Sequence, residues 1–231
     1  MKHIGITTVA FDADDTLWVN EPYYQYCEER FTEIINPLVT GKDVRKELVA
    51  TDIQNVGMYG YGIKGFMLSM IETAIRITDG KVDADVISEI IHLGKKLYAM
   101  PIELLDGAED IIKELKKSYR LVLATKGDLL DQQRKLKQSG LEEYFDHIEV
   151  MSEKKEEDYL RLLKNCNEKA ENFMMVGNSL KSDIIPVLNI GGYATHVPFH
   201  VTWEHEKTDK PEKCERFSEI ERIMMLKEIL L

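Results

Sequence analysis

The stretch FDADDTLW, residues 11–18, decides the fold of this chain. It ends a run of apolar and β-branched residues, 4–11, which is typical of a strand buried on both faces of a parallel sheet. The run stops abruptly at Asp12. In open parallel sheets, ligands bind beyond the carboxyl ends of the strands, so Asp12 and Asp14 are predicted to lie where a reactive site forms.

The acidic residues of this stretch, Asp12, Asp14 and Asp15, stand close together. Carboxylates at this spacing repel one another unless a cation joins them. A hard divalent ion with oxygen ligands would remove the repulsion, and Mg²⁺ is the favoured ion. The alternative is an acidic turn after a strand, with no role in chemistry.

Further short apolar runs predict the other strands of the sheet, at 120–125, 147–151, 173–177 and 193–197. Helices are predicted between the later runs, at 108–115, 129–139 and 156–165. Such alternation is typical of a parallel sheet with right-handed crossovers. The predicted fold class is α/β, with a Rossmann-like parallel sheet.

Residues 18–100 interrupt the alternation with amphipathic helical segments and no clear strand. This pattern predicts an inserted α-helical cap domain, 18–100, and an α/β core formed by 1–17 and 101–231. A charged loop at 204–215 and a closing helix at 218–231 complete the predicted core.

Composition excludes several classes of protein. Of the 231 residues, 41 are acidic and 30 basic, a net charge of −11, which argues against a nonspecific nucleic-acid binder. No apolar run is long enough to predict a membrane span, and the first residues do not resemble a secretory signal. Cys27, Cys166 and Cys214 are widely spaced, so neither a disulfide framework nor a zinc site is predicted. We expect a cytoplasmic protein, and the sequence leaves its oligomeric state open.

Later segments extend the pattern in a fixed order. LVLATKGD supplies Thr125 at a strand end, SEKKEEDYLRLL supplies Lys154 with Lys155 beside it, and MMVGNSLKSDI supplies Asn178 and Asp183. Together with Asp-x-Asp-x-Thr at 12–16, this order resembles the haloacid dehalogenase (HAD) superfamily, mainly phosphohydrolases. The resemblance covers essentially the whole chain, because the helical insertion occupies the family's cap position.

The resemblance implies a role for each catalytic residue. Asp12 would be the nucleophile that forms an aspartyl-phosphate, and Asp14 would protonate the leaving oxygen and then deprotonate water. Thr125 would hydrogen-bond a phosphoryl oxygen, and Lys154 would offset charge between that group and Asp12. Whether Lys154 or Lys155 is the catalytic lysine stays open.

The resemblance also implies which residues bind the substrate and which bind the metal. The residues that bind the substrate would be Thr125, Lys126, Gly127 and Lys154. The ligands of Mg²⁺ would be Asp12, the Asp14 carbonyl, Asn178 and Asp183. Asn178 departs from the family pattern, which has an Asp at this position, so its status as a direct ligand is open.

Asp14 helps to predict the reaction. An alkoxide leaving group needs a proton and a halide does not, so an acid two residues after the nucleophile favours ester hydrolysis over dehalogenation. The expected function is a magnesium-dependent phosphohydrolase acting on a small phosphorylated metabolite. The alternatives are a phosphomutase and a non-catalytic binding protein on a degenerate HAD fold.

Aromatic and basic residues outside the motifs leave alternatives open. In the segment GYGIKG, 60–65, Tyr61 or Lys64 either faces the active site or forms part of a flexible turn, as does Tyr59 just before it. Trp18 either packs against substrate or fills the hinge into the cap. Trp203 could border the opening of the active site.

Overall fold

The computed structural model describes residues 5–201, 203–212 and 214–231, so Ile4, the predicted start of the first strand, lies outside it. Within these residues a parallel sheet has the order β3-β2-β1-β4-β5-β6. Its strands are β1 Thr8–Phe11, β2 Arg120–Lys126, β3 His147–Met151, β4 Phe173–Gly177, β5 Tyr193–His196 and β6 Phe217–Glu219. The predicted α/β fold with a Rossmann-like parallel sheet is confirmed.

Helices occupy much of the remaining described chain. Their bounds are α1 Glu21–Ile35, α2 Val44–Tyr59, α3 Ile63–Ile77, α4 Ala84–Tyr98, α5 Ala108–Leu115, α6 Leu129–Ser139, α7 Glu156–Cys166, α8 Ile185–Asn189 and α9 Leu226–Leu230. A π-helical turn, Leu180–Ile184, precedes α8. No helix among the described residues is both long and apolar enough to cross a membrane.

The central position of β1 in the sheet explains why three of its four residues are apolar. Its first residue, Thr8, pairs with Arg120 of β2 on one side and with Phe173 of β4 on the other. Val9 and Phe11 belong to one hydrophobic core, whereas Ala10 belongs to another. Since alternate residues of a strand point to opposite faces, both faces of the sheet are covered.

The chain divides into two compact units. The first holds the sheet and comprises the residues up to Glu21, 102–126 and 132–231. The second comprises 22–101 and 127–131, and its helices enclose a separate core. The division into a core, 1–17 with 101–231, and a cap, 18–100, remains a prediction.

The prediction for the last segment is wrong in part. The predicted helix 218–231 begins instead with the end of β6, and α9 covers only Leu226–Leu230. Phe217 pairs with Ala194 of β5, so a contact distant in sequence outweighs the local helical pattern.

Candidate active site

The carboxyl edge of the sheet gathers residues from several loops. Asp12 follows β1, Thr125 is the last residue but one of β2, and Asn178 follows β4. Because the strands are parallel, these ends meet at one edge. Lys154 comes from the loop after β3, and Asp183 from the π-helical turn after β4.

Lys154 connects two carboxylates in the interior. Only 4% of Lys154 is exposed, and its ammonium group donates to Asp12 Oδ1 at 2.5 Å and to Asp183 Oδ1 at 2.7 Å. Burial alone lowers the pKa of Lys154, but the two carboxylates outweigh it and raise that pKa above its ordinary value. Lys154 therefore remains a cation in the site.

The neighbouring lysine has a different environment. Lys155 is exposed, stands at the N-cap of α7, and its backbone N–H donates to Asp158 Oδ2 at 3.0 Å. Of the two lysines, Lys154 is the one that contacts Asp12.

Oxygen atoms converge around the hydroxyl group of Thr16. This group lies 3.1 Å from Asp12 Oδ2 and 3.2 Å from Asn178 Oδ1, and it accepts the backbone N–H of Asn178 at 3.0 Å. A hydroxyl group has one proton to donate, so it serves one of these two oxygens at a time. Burial raises the pKa of Asp12, and the charges of Asp183 and Asp14 raise it further, against the effect of Lys154. The oxygens Asp12 Oδ2 and Asn178 Oδ1 thus suit a cation.

Asp183 is held on both of its oxygens. Oδ1 accepts from Lys154, and Oδ2 accepts the backbone N–H of Ser179 at 3.0 Å. The carboxylate also packs closely on Gly177, where a methyl group would lie 2.2 Å from Oδ2. The glycine at the end of β4 is therefore required by this close approach.

Asp14 is surrounded by donors from two segments. Trp18 Nε1 donates to Oδ1 at 2.7 Å, and Gln132 Nε2 donates to Oδ2 at 2.8 Å. Lys135 Nζ lies 2.9 Å from Oδ1 and 3.1 Å from Oδ2. Each oxygen of Asp14 therefore accepts hydrogen bonds from two side chains.

Lys126 belongs to a second ion pair, which is partly buried. Its ammonium group donates to Glu206 Oε1 at 2.5 Å and to Ser182 Oγ at 3.1 Å, while Ser179 Oγ donates to Glu206 Oε2 at 2.5 Å. Burial alone would raise the pKa of Glu206, but Lys126 and the two serine hydroxyl groups outweigh it and lower that pKa to about 2. Glu206 thus joins the loops that follow β2, β4 and β5.

Two further predicted positions have clear environments. Thr125 is 1% exposed at the end of β2. Gly127 has a φ of +137°, which favours glycine at this turn.

The aromatic and basic residues of the GYGIKG region are paired within the second unit. Tyr59 donates from its hydroxyl group to Glu72, and Lys64 donates to Asp128 Oδ2 at 2.8 Å. Their predicted role toward substrate stays a prediction.

The order of these residues along the chain is that of a known family. The model of the haloacid dehalogenase-like hydrolases matches residues 6–191, which include Asp12, Lys154 and Asp183. The chain belongs to the haloacid dehalogenase-like hydrolase family. The predicted membership of the HAD superfamily is confirmed.

Several HAD phosphatases resemble this chain over part of its length. The N-acylneuraminate-9-phosphatase of Mus musculus is 32% identical over 130 residues, which cover 54% of this chain and 52% of that protein. The Homo sapiens protein of the same name is 29% identical over 143 residues, 59% of this chain and 58% of that protein. The match spans about half the length of these curated relatives.

Solved HAD structures resemble almost the whole chain. A haloacid dehalogenase-like family hydrolase from Xanthomonas campestris is 38% identical, with a TM-score of 0.86 over 96% of this chain and 88% of that one. A HAD hydrolase from Bacillus subtilis, solved with bound magnesium, is 21% identical, with a TM-score of 0.69 over 97% of this chain and 98% of that one. The second likeness concerns the fold alone.

Some site residues of this HAD hydrolase were not found from the sequence. Gln132 and Lys135 are buried in α6, where an apolar inner face is expected, and Glu206 follows a loop with no regular pattern. The signal that could have found the first pair is the scarcity of apolar residues in α6, LLDQQRKLKQS. No comparable signal marks Glu206, because its partners are distant in sequence.

Proposed function

We propose that this HAD hydrolase is a magnesium-dependent phosphatase that forms an aspartyl-phosphate on Asp12. The observation that carries the proposal is the buried ammonium group of Lys154 between Asp12 and Asp183 at the carboxyl edge of the sheet. A carboxylate beside a fixed cation is suited to attack a phosphoryl group, because the cation offsets the charge of the phosphoryl oxygens.

The reaction would take two steps. The Asp12 carboxylate attacks phosphorus, the bond from phosphorus to the leaving oxygen breaks, and Asp14 gives that oxygen a proton. Asp14 then takes a proton from water as the water attacks the aspartyl-phosphate, which releases phosphate and restores Asp12. Thr125, Lys126 and Gly127 would bind the phosphoryl oxygens during both steps.

The residues present fit a magnesium ion. Asp12 Oδ2 and Asn178 Oδ1 converge on one hydroxyl group, and Asp183 adds a second buried carboxylate near Asp12. Carboxylate and amide oxygens are ligands that Mg²⁺ prefers. We propose that Asp12, Asn178, Asp183 and the carbonyl of Asp14 hold it, where it would offset negative charge on the phosphoryl group.

The expected substrate is a small phosphorylated metabolite. The names of the relatives, N-acylneuraminate-9-phosphatase, support this class and make N-acylneuraminate 9-phosphate the first compound to assay. We propose that the helical residues 18–100 act as a cap that selects the substrate, a role supported by their separate core.

The test is the release of phosphate from a panel of phosphorylated metabolites and from nitrophenyl phosphate. We expect turnover that requires Mg²⁺ and is abolished in Asp12→Asn, with unchanged circular dichroism. Isomerised sugar phosphate without free phosphate would favour a phosphomutase. No turnover on the panel would favour a binding protein, and near-normal turnover in Asp12→Asn would contradict the mechanism.

A further inference from the structure

We propose that Lys135 is a positioning residue that, together with Gln132, fixes the carboxylate of Asp14 for proton transfer. The proposal rests on the proposed phosphatase function, in which Asp14 moves protons. Neither the motifs of the family resemblance nor the predicted site included these two residues of α6. All of these residues belong to the first compact unit.

The contacts are directed at both oxygens of Asp14. Lys135 Nζ reaches Oδ1 at 2.9 Å and Oδ2 at 3.1 Å, while Trp18 supplies a second donor to Oδ1 and Gln132 a second donor to Oδ2. Donors on both sides leave the carboxylate little freedom to rotate. Its orientation is therefore set by side chains of α6 and by Trp18.

The burial of Lys135 argues for a specific purpose. Its side chain is 7% exposed, whereas that of Asp14 is 22% exposed. Water can reach the carboxylate of Asp14, so its solvation does not depend on a buried cation. A buried ammonium group, by contrast, is costly unless it is fully hydrogen-bonded, and an apolar side chain at this position would avoid that cost. Lys135 meets the requirement through Asp14 and through Asn20 Oδ1 at 2.7 Å.

Gln132 is oriented at a cost of its own. Its Nε2 donates to Asp14 and to the carbonyl of Lys126 at 3.2 Å, while its buried Oε1 accepts no hydrogen bond from the described residues. The opposite orientation of the amide would point Oε1 at a carboxylate. The amide thus keeps its contact with Asp14 although this orientation leaves Oε1 without a donor among the described residues, which is unfavourable for a buried acceptor.

Lys135 contacts both oxygens of Asp14, whereas Trp18 contacts Oδ1 alone and Gln132 contacts Oδ2 alone. The four contacts hold the carboxyl group in one orientation, which is what proton transfer to a leaving oxygen and from water requires. Lys135 acts here through Asp14 and does not itself contact substrate.

The first test needs no turnover. The chain has two tryptophans, so a ¹⁵N–¹H spectrum contains two indole N–H signals, which Trp203→Phe assigns. The Trp18 signal reports its hydrogen bond to Asp14. We expect Lys135→Met to shift this signal in the same direction as Asp14→Asn does. The matched control is Lys137→Met, at an exposed lysine of the same helix, which should leave it in place. A Trp18 signal unmoved by Lys135→Met would overturn the inference.

The second test separates positioning from structural support. Loss of a general acid costs about 10²–10⁴-fold, and mainly with poor leaving groups, so Lys135→Met should slow phosphoryl transfer from an alkyl phosphate by about 10-fold or more. Transfer from nitrophenyl phosphate should fall by less than about 3-fold, and Lys135→Arg should restore part of the loss. In the double variant with Asp14→Asn, Lys135→Met should add almost nothing.

The outcomes distinguish the two proposals. Equal losses with both leaving groups, or additive losses in the double variant, would overturn the role of Lys135 while the phosphatase function stands. A wild-type chain that hydrolyses no phosphate ester would overturn the function and, with it, the role in proton transfer. If Lys135→Met does not fold by circular dichroism, Lys135→Gln, which keeps a polar donor of shorter reach, is measured in its place.

Discussion

At the scale of single residues, the site is defined by an imbalance of buried charge. Asp12 and Asp183 share one ammonium group, that of Lys154. Removing one member of a buried ion pair leaves its partner without compensation, which costs more than the pair contributes as a whole. The identity of the lysine therefore matters for stability as well as for catalysis.

We expect Lys154→Met to abolish turnover and to destabilise the fold by about 3–5 kcal/mol, because two buried carboxylates lose their shared cation. Lys155→Met is the matched control, and as an exposed substitution it should change stability by less than about 0.5 kcal/mol. Urea unfolding and phosphate release measure the two effects. Comparable losses of turnover and stability in both variants would mean that the contact between Lys154 and Asp12 does not cause them.

At the scale of elements, the turn after β4 depends on close contact between backbone and side chain. Gly177 ends the strand, and the carboxylate of Asp183 returns onto it from the π-helical turn Leu180–Ile184. The same turn contributes Ser182 to the contacts of Glu206. A substitution in this turn is therefore expected to affect both ion pairs, that of Lys154 and that of Lys126.

Gly177→Ala should destabilise the protein by about 1–3 kcal/mol, since the added methyl group displaces Asp183. Gly57→Ala, inside α2 and with no atom near the added methyl group, should instead stabilise it by about 0.5–1 kcal/mol. The denaturant midpoints of the two variants, compared with that of the unchanged protein, measure these changes in stability. A neutral Gly177→Ala would show that Asp183 can move without cost.

Glu206, which lies in the 3₁₀ turn Glu204–Glu206, should make the free energy of unfolding depend on pH. The pKa of Glu206 is lowered from 4.5 to about 2 in the folded state, so its contribution is fully present above pH 4.5 and is lost as the pH falls toward 2. Glu206→Gln should cost about 3 kcal/mol at pH 7 and progressively less below pH 4.5. Urea unfolding of both proteins from pH 7 to pH 2.5 gives this difference, and a difference that does not change with pH would contradict the assignment.

The strands and helices also show which features of the fold and the site could be predicted from the sequence and which could not. The end of β1 just before Asp12 follows from its local apolar pattern and the end of α6 follows from Gly140, and the sequence predicts both. β6 was missed because a three-residue strand is defined by its pairing with β5 and not by its own pattern. Lys135 was missed because the scarcity of apolar residues in α6, the one local signal, does not show which polar side chain of the helix is buried.

At the scale of the whole molecule, the net charge of −11 comes with carboxylates in the interior as well as on the surface. A ligand that binds only the folded state raises its stability in proportion to the logarithm of ligand concentration. The proposed magnesium site should therefore be visible in the unfolding of the entire chain.

Mg²⁺ at about 100 times its Kd should stabilise the protein by about 2.7 kcal/mol and raise Tm by about 5–10 °C, and a chelator should reverse the shift. Asn178→Asp should enlarge the shift, and Asp183→Ala should reduce it more than Asn178→Ala, because only Asp183 is charged. Thermal scans at matched ionic strength, with NaCl as control, measure the shifts. If Mg²⁺ raised the Tm of Asp183→Ala as much as that of the unchanged protein, Asp183 would be a partner of Lys154 and not a ligand of the metal.

The position of β1 at the centre of the sheet has a consequence for synthesis on the ribosome. β1 is made before its two neighbours, and it pairs with Arg120 and Phe173, more than a hundred residues later in the chain. The helices of 22–101 make local contacts and can form meanwhile, because contacts of short sequence separation form faster. Pulse-labelled hydrogen exchange during refolding should then protect amides of α2 and α3 before those of β1, and simultaneous protection would refute this order. Until β2 and β4 have been synthesised, the apolar side chains of β1 have no partner strands to cover them. We therefore expect a chaperone to bind this segment of the nascent chain.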